Sequence, residues 1–196
     1  MGFFGDLVNR PAAAIETIRE KKNRLKSVVL IAVTGALVLI NFFFAHFTGR
    51  FPDIIIFALL LGVAGIIFMA MFITGFAIDL YIFLKLTKYK PAGEASKTAT
   101  WTVLIPMLIF HCGFLLINMI LRLTGTMEWA GYLYDTLKYL MYIWILGLAI
   151  VSVIQNQPEH KSRNILGVIG MFTLNWVIYV YVNLWVIQWL FTTVGL

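Results

Sequence analysis

The sequence predicts an all-α, polytopic membrane protein in which five transmembrane helices form a bundle, preceded by an N-terminal amphipathic interfacial helix. Three observations lead to this fold class. The chain is 61% hydrophobic and only 12% charged, far from the composition of a globular domain. An uncharged run of apolar and small residues extends from Ile54 to Ile78, and about 20 such residues suffice to cross a bilayer. The basic residues flank the apolar runs, as is typical of orientation in a membrane.

The leader, residues 1–26, is predicted to form a helix on the cytoplasmic surface of the membrane. After Pro11, the residues Ile15, Ile18 and Leu25 fall roughly on one helical face. The other faces carry the basic residues Arg19, Lys21, Lys22, Arg24 and Lys26. We expect the apolar side to lie in the acyl boundary and the cations to contact anionic lipid headgroups. The alternative is a solvated basic leader that acts only as a topology signal.

The membrane domain, residues 27–196, holds five predicted spans. Their approximate limits are 27–48, 54–84, 99–121, 136–155 and 165–191. At 31 residues, the second would be ~46 Å long by the helical rise, against a hydrocarbon thickness of roughly 30 Å. It must therefore tilt or project into the cytoplasm. Pro106 should kink the third span unless neighbouring groups satisfy the freed carbonyl.

Lysine and arginine are unevenly distributed between the two sides of this predicted bundle. Twelve of the fifteen fall in the leader, in the segment 85–97 and in the link 155–164, and the other three are Arg50, Arg122 and Lys138. Cytoplasmic loops carry such an excess, so the predicted orientation is N-terminus cytoplasmic and C-terminus outside. We expect the bacterial inner (plasma) membrane as the location, and the lipid bilayer rather than nucleic acid as the partner.

No pattern of residues indicates catalysis, a metal site or a cofactor. The sequence has no metal-ligand spacing of His and Cys and no glycine-rich phosphate loop. His111 and Cys112 adjoin, so on a helix they point about 100° apart, which does not suit a nucleophile and its base. We therefore predict a non-enzymatic protein without a catalytic residue, metal or cofactor.

Polar residues inside the spans are the candidate functional positions, because each costs free energy in hydrocarbon and tends to find a partner. They are Asn41 on the first span, His111 and Asn118 on the third, and Asn175 and Asn183 on the fifth. These side chains either line a polar cavity for a lipid headgroup or solute, or form hydrogen bonds that hold the helices together. The second interpretation is the simpler one.

Asp79 is the one carboxylate within a predicted span and lies near the cytoplasmic end of the second. An ionisable residue inside the membrane is a candidate charge site, for a proton or another cation. The alternative is structural: Asp79 pairs with Lys85 or Lys97, or accepts hydrogen bonds from Thr98 and Thr102.

Small residues recur on one face of the second span, at Ala58, Gly62 and Gly65. Such a stripe lets another helix approach closely. That helix comes either from this chain or from another subunit, so a homo-oligomer or a complex with a second membrane protein is an open expectation.

Three local features share their pattern with a known family. They are RPAAAIETI with Pro11, Ile15 and Ile18, PAGEASKTATWTVLIP with Gly93, Lys97, Thr98 and Pro106, and WILGLAIVSV from Trp144 with a polar link at Lys161. The arrangement resembles the Yip family, the Ypt/Rab-interacting integral membrane proteins and their prokaryotic relatives. The resemblance implies a five-span bundle and, in eukaryotic members, a role in organising membranes and trafficking.

Eukaryotic members of that family act through small GTPases and carry a long cytoplasmic N-terminal region, which does not precede Pro11 here. The resemblance therefore implies a prokaryotic-type member, and we do not expect a small-GTPase contact. The predicted function is to organise or shape membrane or to bind lipid, through self-association or a partner. The alternative is a small transporter or lipid-translocating unit with a polar intramembrane cavity.

Overall fold

The computed structural model describes residues 6, 9–20, 24–46, 51–125, 129–155 and 160–194, and the regular secondary structure within these ranges is helical. The helices with defined limits are α1 (Pro11–Glu20), α2 (Arg24–His46), α3 (Phe51–Leu86), α4 (Ala92–Leu123), α5 (Ala130–Ile154) and α6 (Lys161–Val194). The all-α prediction is confirmed for the part of the chain that the structure describes.

Four helices in the described ranges are long and apolar enough to cross a membrane. Their qualifying parts are Gly62–Leu86, Ala92–Leu123, Ala130–Ile154 and Lys161–Val182. Helix α2 contributes a shorter apolar stretch, Val28–Phe42. By length and composition, the chain is an integral membrane protein, as the sequence predicts.

The helices extend beyond the spans predicted from hydrophobicity. Helix α3 begins at Phe51 and α4 at Ala92, because Pro52 suits a first helical turn and Glu94 favours the positive end of the α4 dipole. Helix α4 also continues through Pro106 as one element. Hydropathy identifies the part of a helix that suits hydrocarbon, whereas hydrogen bonding and helix propensity determine where the helix ends.

Buried apolar side chains from all five longer helices form one core. Examples from α2 to α6 in order are Val38, Met69, Val103, Ile145 and Val168. The outer surface of the bundle is apolar as well, with large exposed side chains that include Val63, Leu116, Ile143 and Leu166. A bundle that is apolar both inside and outside is suited to hydrocarbon rather than to water.

Helix α1 packs on the bundle, against α4 and α5. Its Ala14 and Ile15 are buried, and Ala14 forms a small apolar cluster with Ile109 and Leu148. At these two positions the apolar side of the leader is covered by protein, where the sequence predicts lipid. The side chains of the predicted lipid-contact residues Arg19, Lys21, Lys22, Arg24 and Lys26 lie outside the described residues.

Candidate functional site

The small-residue face of α3 packs against α2 of the same chain. A Cβ atom added to Gly65 would collide with the carbonyl oxygen of Gly35, and a Cβ added to Gly35 would collide with that of Gly65. At Gly62 an added Cβ would lie 3.5 Å from Ile40 Cδ1, an ordinary contact. The described part of the stripe is therefore used within the chain, and the side chain of Ala58 lies outside the description.

Three of the predicted polar residues meet where α2 crosses α4, and we call them the Asn41 cluster: Asn41, His111 and Asn118. Asn41 Nδ2 donates a hydrogen bond to the backbone oxygen of His111, at 2.7 Å. Asn118 Nδ2 donates to Asn41 Oδ1, at 3.4 Å. All three residues are 0% exposed, so the cluster is closed to solvent and lipid.

Further bonds to carbonyl oxygens of α2 surround the Asn41 cluster. Arg122 Nη2 donates to the oxygen of Phe44 at 2.8 Å, and its guanidinium lies 5.1 Å from the centre of the Phe44 ring. The Tyr134 hydroxyl donates to the oxygen of Val38 at 3.4 Å. His111 Nε2 is buried without a hydrogen-bond partner. This arrangement is interhelical hydrogen bonding, the simpler of the two interpretations of these residues.

Asp79 and Asn175 form a separate polar pair between α3 and α6. Asn175 Nδ2 donates to Asp79 Oδ2 at 2.9 Å and to the backbone oxygen of Met171 at 2.9 Å. Asn175 thus lies apart from the Asn41 cluster, although both are predicted candidates for one polar cavity. The side chain of Asn183 lies outside the described residues.

The candidate partners of Asp79 named from the sequence do not bond to it among the described residues. Thr98 Oγ1 donates to the oxygen of Glu94 at 2.8 Å, and Thr102 Oγ1 donates to that of Ala99 at 2.7 Å. The ammonium of Lys85 lies 5.8 Å from the centre of the Tyr81 ring. Lys97 is exposed, and no ion pair to Asp79 is present among the described residues.

A cavity of about 260 Å³ adjoins this pair, and we call it the Asp79 cleft. Helix α3 contributes Phe68, Phe72, Gly75 and Asp79 to its lining, a spacing of three and four residues that places them on one helical face. A Cβ added to Gly75 would collide with Asn175 Oδ1. Glycine at this position lets the amide lie against the α3 backbone, where it reaches Asp79.

A second cavity, of about 210 Å³, lies between α2, α5 and α6, and we call it the Lys138 groove. It is lined by Val38, Leu39, Phe42, Tyr134, Lys138, Tyr139, Tyr142, Trp176, Tyr179, Val180 and Leu184. None of the sequence patterns described above indicates this groove. The available signal is the spacing of Tyr134, Lys138 and Tyr142 at i, i+4 and i+8, one helical face.

Lys138 is the charged residue of the groove lining. Its Nζ donates to Asp135 Oδ1 at 2.6 Å and lies 5.3 Å from the ring centres of both Tyr134 and Tyr139. The Lys138 side chain is 19% exposed and that of Asp135 is 43% exposed. A cation held at the edge of an apolar groove can meet an anionic headgroup while the groove accepts a hydrocarbon chain.

Within the described residues, no three His, Cys, Asp or Glu side chains lie close enough together to hold a metal ion. Cys112 is exposed on α4. Comparisons of the chain with protein-family models, with curated proteins and with solved structures found no match.

Proposed function

We propose that this chain is a five-span, non-enzymatic membrane protein that binds lipid and organises the bilayer around it. Helix α2 is the proposed first span: its 23 residues are ~34 Å long by the helical rise, enough to cross a core of roughly 30 Å. Its buried contacts with α3 and α4 support this assignment. The proposed orientation remains N-terminus cytoplasmic and C-terminus outside, in a bacterial inner membrane.

The Lys138 groove is the observation that carries this proposal. Its lining is largely apolar and aromatic, which suits an acyl chain, and the Lys138 ammonium at its edge suits a phosphate or another anionic headgroup. In the proposed orientation the groove opens in the outer leaflet. The exposed side chains of Trp129 and Tyr132, at the start of α5, then lie at the membrane–water boundary where such residues concentrate.

Lipid bound to the purified protein tests this proposal, and mass spectrometry of the intact protein with its retained lipids is the measurement. We expect Lys138→Gln to lose the preference for anionic over zwitterionic lipid. Asp135→Asn is the matched control: it also breaks the Lys138–Asp135 ion pair but keeps the cation, so it should keep or increase that preference. An unchanged preference in Lys138→Gln would contradict the proposal.

A second pair of variants tests the groove itself rather than its charge. Leu184 lines the groove and is 55% exposed, whereas Leu140 on α5 is 59% exposed and does not line it. We expect Leu184→Trp to reduce the number of retained lipids and Leu140→Trp to leave it unchanged. Equal retention in the two variants would exclude the groove as the lipid site.

A role in organising membrane is supported by the resemblance to the Yip family at the N-terminal segment, the start of α4 and the end of α5. It is also consistent with a bundle whose Asn41 cluster is closed and fully buried. A small-GTPase contact is not part of the proposal. Self-association through the stripe of Gly62 and Gly65 is not part of it either, because α2 covers both glycines.

A small transporter is the second candidate, and the Asp79 cleft is the observation that favours it. A carboxylate inside a span is a typical feature of proton and ion pathways. Flux of protons or solute into vesicles that contain the purified protein distinguishes the two. The transporter hypothesis requires that Asp79→Asn abolish a flux that the parent protein supports, and it is excluded if the parent supports none.

A further inference from the structure

The Asp79 cleft has a negative charge that the described protein groups leave uncompensated. The half-buried carboxylate accepts one hydrogen bond, from the neutral amide of Asn175. The Lys85 ammonium lies over the ring of Tyr81. Tyr81 is two residues after Asp79 on the helix and therefore about 200° around it, on another face. A buried or half-buried carboxylate is strongly stabilised by a cation, so the cleft favours a positively charged occupant.

The remainder of the cleft is aromatic and aliphatic. The rings of Phe72 and Tyr179 lie 5.3 Å apart, centre to centre, and Phe68 continues the lining one helical turn from Phe72. Aromatic faces attract organic cations through the ring quadrupole, most strongly where water is excluded. A single carboxylate cannot by itself hold a divalent metal, which needs several oxygen ligands, and an anion would be repelled.

The geometry of Asn175 keeps the carboxylate ready for such a ligand. Its Nδ2 is engaged by both Asp79 Oδ2 and the oxygen of Met171, and its Oδ1 lies against the backbone at Gly75. The amide is therefore held in one orientation and positions Asp79, whose Oδ1 has no hydrogen-bond donor from the described residues and can lie against the positive charge of a ligand. Asn175 acts as a positioning residue here.

We propose that the Asp79 cleft binds an amphiphilic organic cation, with the ammonium group against Asp79 and the apolar part along Phe68, Phe72 and Tyr179. Met71 and Ile178 line the cleft and are exposed on the surface of the bundle, so an amphiphile reaches the cleft laterally from the membrane. The inference concerns binding alone. It depends neither on lipid in the Lys138 groove nor on transport.

Benzyltrimethylammonium, radiolabelled, is the probe, and its saturable binding to the full chain in phosphatidylcholine nanodiscs is the measurement, with empty nanodiscs subtracted. We expect Asp79→Asn to lower the affinity about tenfold or more, as removal of a charge partner in a desolvated aromatic site does. Glu94→Gln, which removes an exposed acid outside the cleft, should bind as the parent does. Absence of saturable binding to the parent, or parent-like affinity in Asp79→Asn, would overturn the proposal.

The requirement for charge is tested with neopentylbenzene, which has the shape of the probe but a carbon in place of the nitrogen. It should displace the probe only at concentrations about tenfold higher or more, and displacement at equal concentrations would contradict a cation site.

A further pair of variants keeps the carboxylate. Met71 lines the cleft and is 55% exposed, whereas Ile67 is 56% exposed and does not line it. Met71→Trp should lower the affinity and Ile67→Trp should not. Equal affinity of the two variants for the probe would show that it binds outside the Asp79 cleft.

Discussion

Asn41 is the residue at which polar bonds from two points on α4 converge. Its amide donates to the backbone of His111, and its side-chain oxygen accepts from Asn118. The His111 ring differs, because its Nε2 is buried without a hydrogen-bond partner and its Nδ1 makes only a long contact, 3.5 Å, with Asn41 Nδ2. Removing one member of a hydrogen-bonded pair leaves the other unsatisfied, whereas removing a group that is already unsatisfied relieves a desolvation cost. The two residues should therefore respond differently to an apolar substitution.

We predict that Asn41→Leu lowers the free energy of unfolding by about 1–3 kcal/mol, because the Asn118 amide then loses its side-chain acceptor and keeps only the backbone oxygen of residue 41, at 3.5 Å. His111→Leu should change it by no more than about 0.6 kcal/mol, the mean for a polar bond between membrane helices. The measurement is unfolding of the purified protein by sodium dodecyl sulfate in mixed micelles. Asn41→Leu combined with Asn118→Leu should recover part of the loss, because both partners are then gone. A larger loss in His111→Leu than in Asn41→Leu would contradict this account of the cluster.

The sequence identifies these polar positions but not all of their neighbours. His111 and Asn118 share a helical face, which periodicity predicts. Asp79 and Asn175 are 96 residues apart, and their pairing depends on α6 packing beside α3, which no local pattern encodes. The same limit applies to Lys138, which no local pattern marks as a site residue, because its groove exists only where α2, α5 and α6 meet. The sequence of one helix shows which polar residues share a face, but the composition of a site depends on how several helices pack together.

At the scale of helices, α2 and α3 approach each other closely where they cross at Gly35 and Gly65. The small-residue stripe of α3 predicts a close approach there, but it does not identify Gly35 as the opposing residue. An added Cβ on Gly35 would also lie 2.7 Å from the Cβ of Met69. Neither helix can accept even a methyl group without moving, because backbone rather than a flexible side chain occupies the space.

We predict that Gly65→Ala and Gly35→Ala each destabilise the protein by about 1–3 kcal/mol or more, as overpacking does in a well-packed interior. Gly62→Ala is the matched control on the same face, where the added Cβ would make ordinary contact with Ile40; it should be neutral or slightly stabilising, because alanine also favours the helix. Thermal unfolding in detergent checks the order of the three variants. Equal stability of Gly65→Ala and Gly62→Ala would show that α2 and α3 can move apart at their crossing without loss of stability, which would contradict the prediction.

At the scale of the whole molecule, two hydrogen bonds between helices indicate which helix ends lie together. The Tyr89 hydroxyl, in the turn between α3 and α4, donates to the oxygen of Val153 near the end of α5, at 2.6 Å. At the other end of the bundle, Arg122 bonds to Phe44. The basic turn that holds Lys88 and Lys90 thus falls at the same end of the bundle as the end of α5, and Arg122 falls at the opposite end.

We predict that cysteines introduced at Lys90 and Lys161 are shielded from an impermeant thiol reagent in intact cells, and that cysteines at Glu128 or Leu196 are labelled. The physical reason is the excess of basic residues on the proposed cytoplasmic side, twelve against three. The background carries Cys112→Ala, because the native thiol is exposed on α4. Labelling at both Lys161 and Leu196 would rule out five spans.

Helix α2 packs against α3 and α4, and these two helices are synthesised at different times. Its crossing with α3 joins neighbours in sequence, so in the proposed five-span topology this hairpin can form as soon as both helices have entered the bilayer. Asn41, by contrast, bonds to His111, 70 residues further on. Until α4 inserts, that amide has neither water nor this partner, and hydrocarbon supplies no substitute. In a nascent chain that ends after α3, the Asn41 side chain therefore lies on the surface of the α2–α3 hairpin without its hydrogen-bond partner. It becomes buried and bonded only when α4 packs against α2.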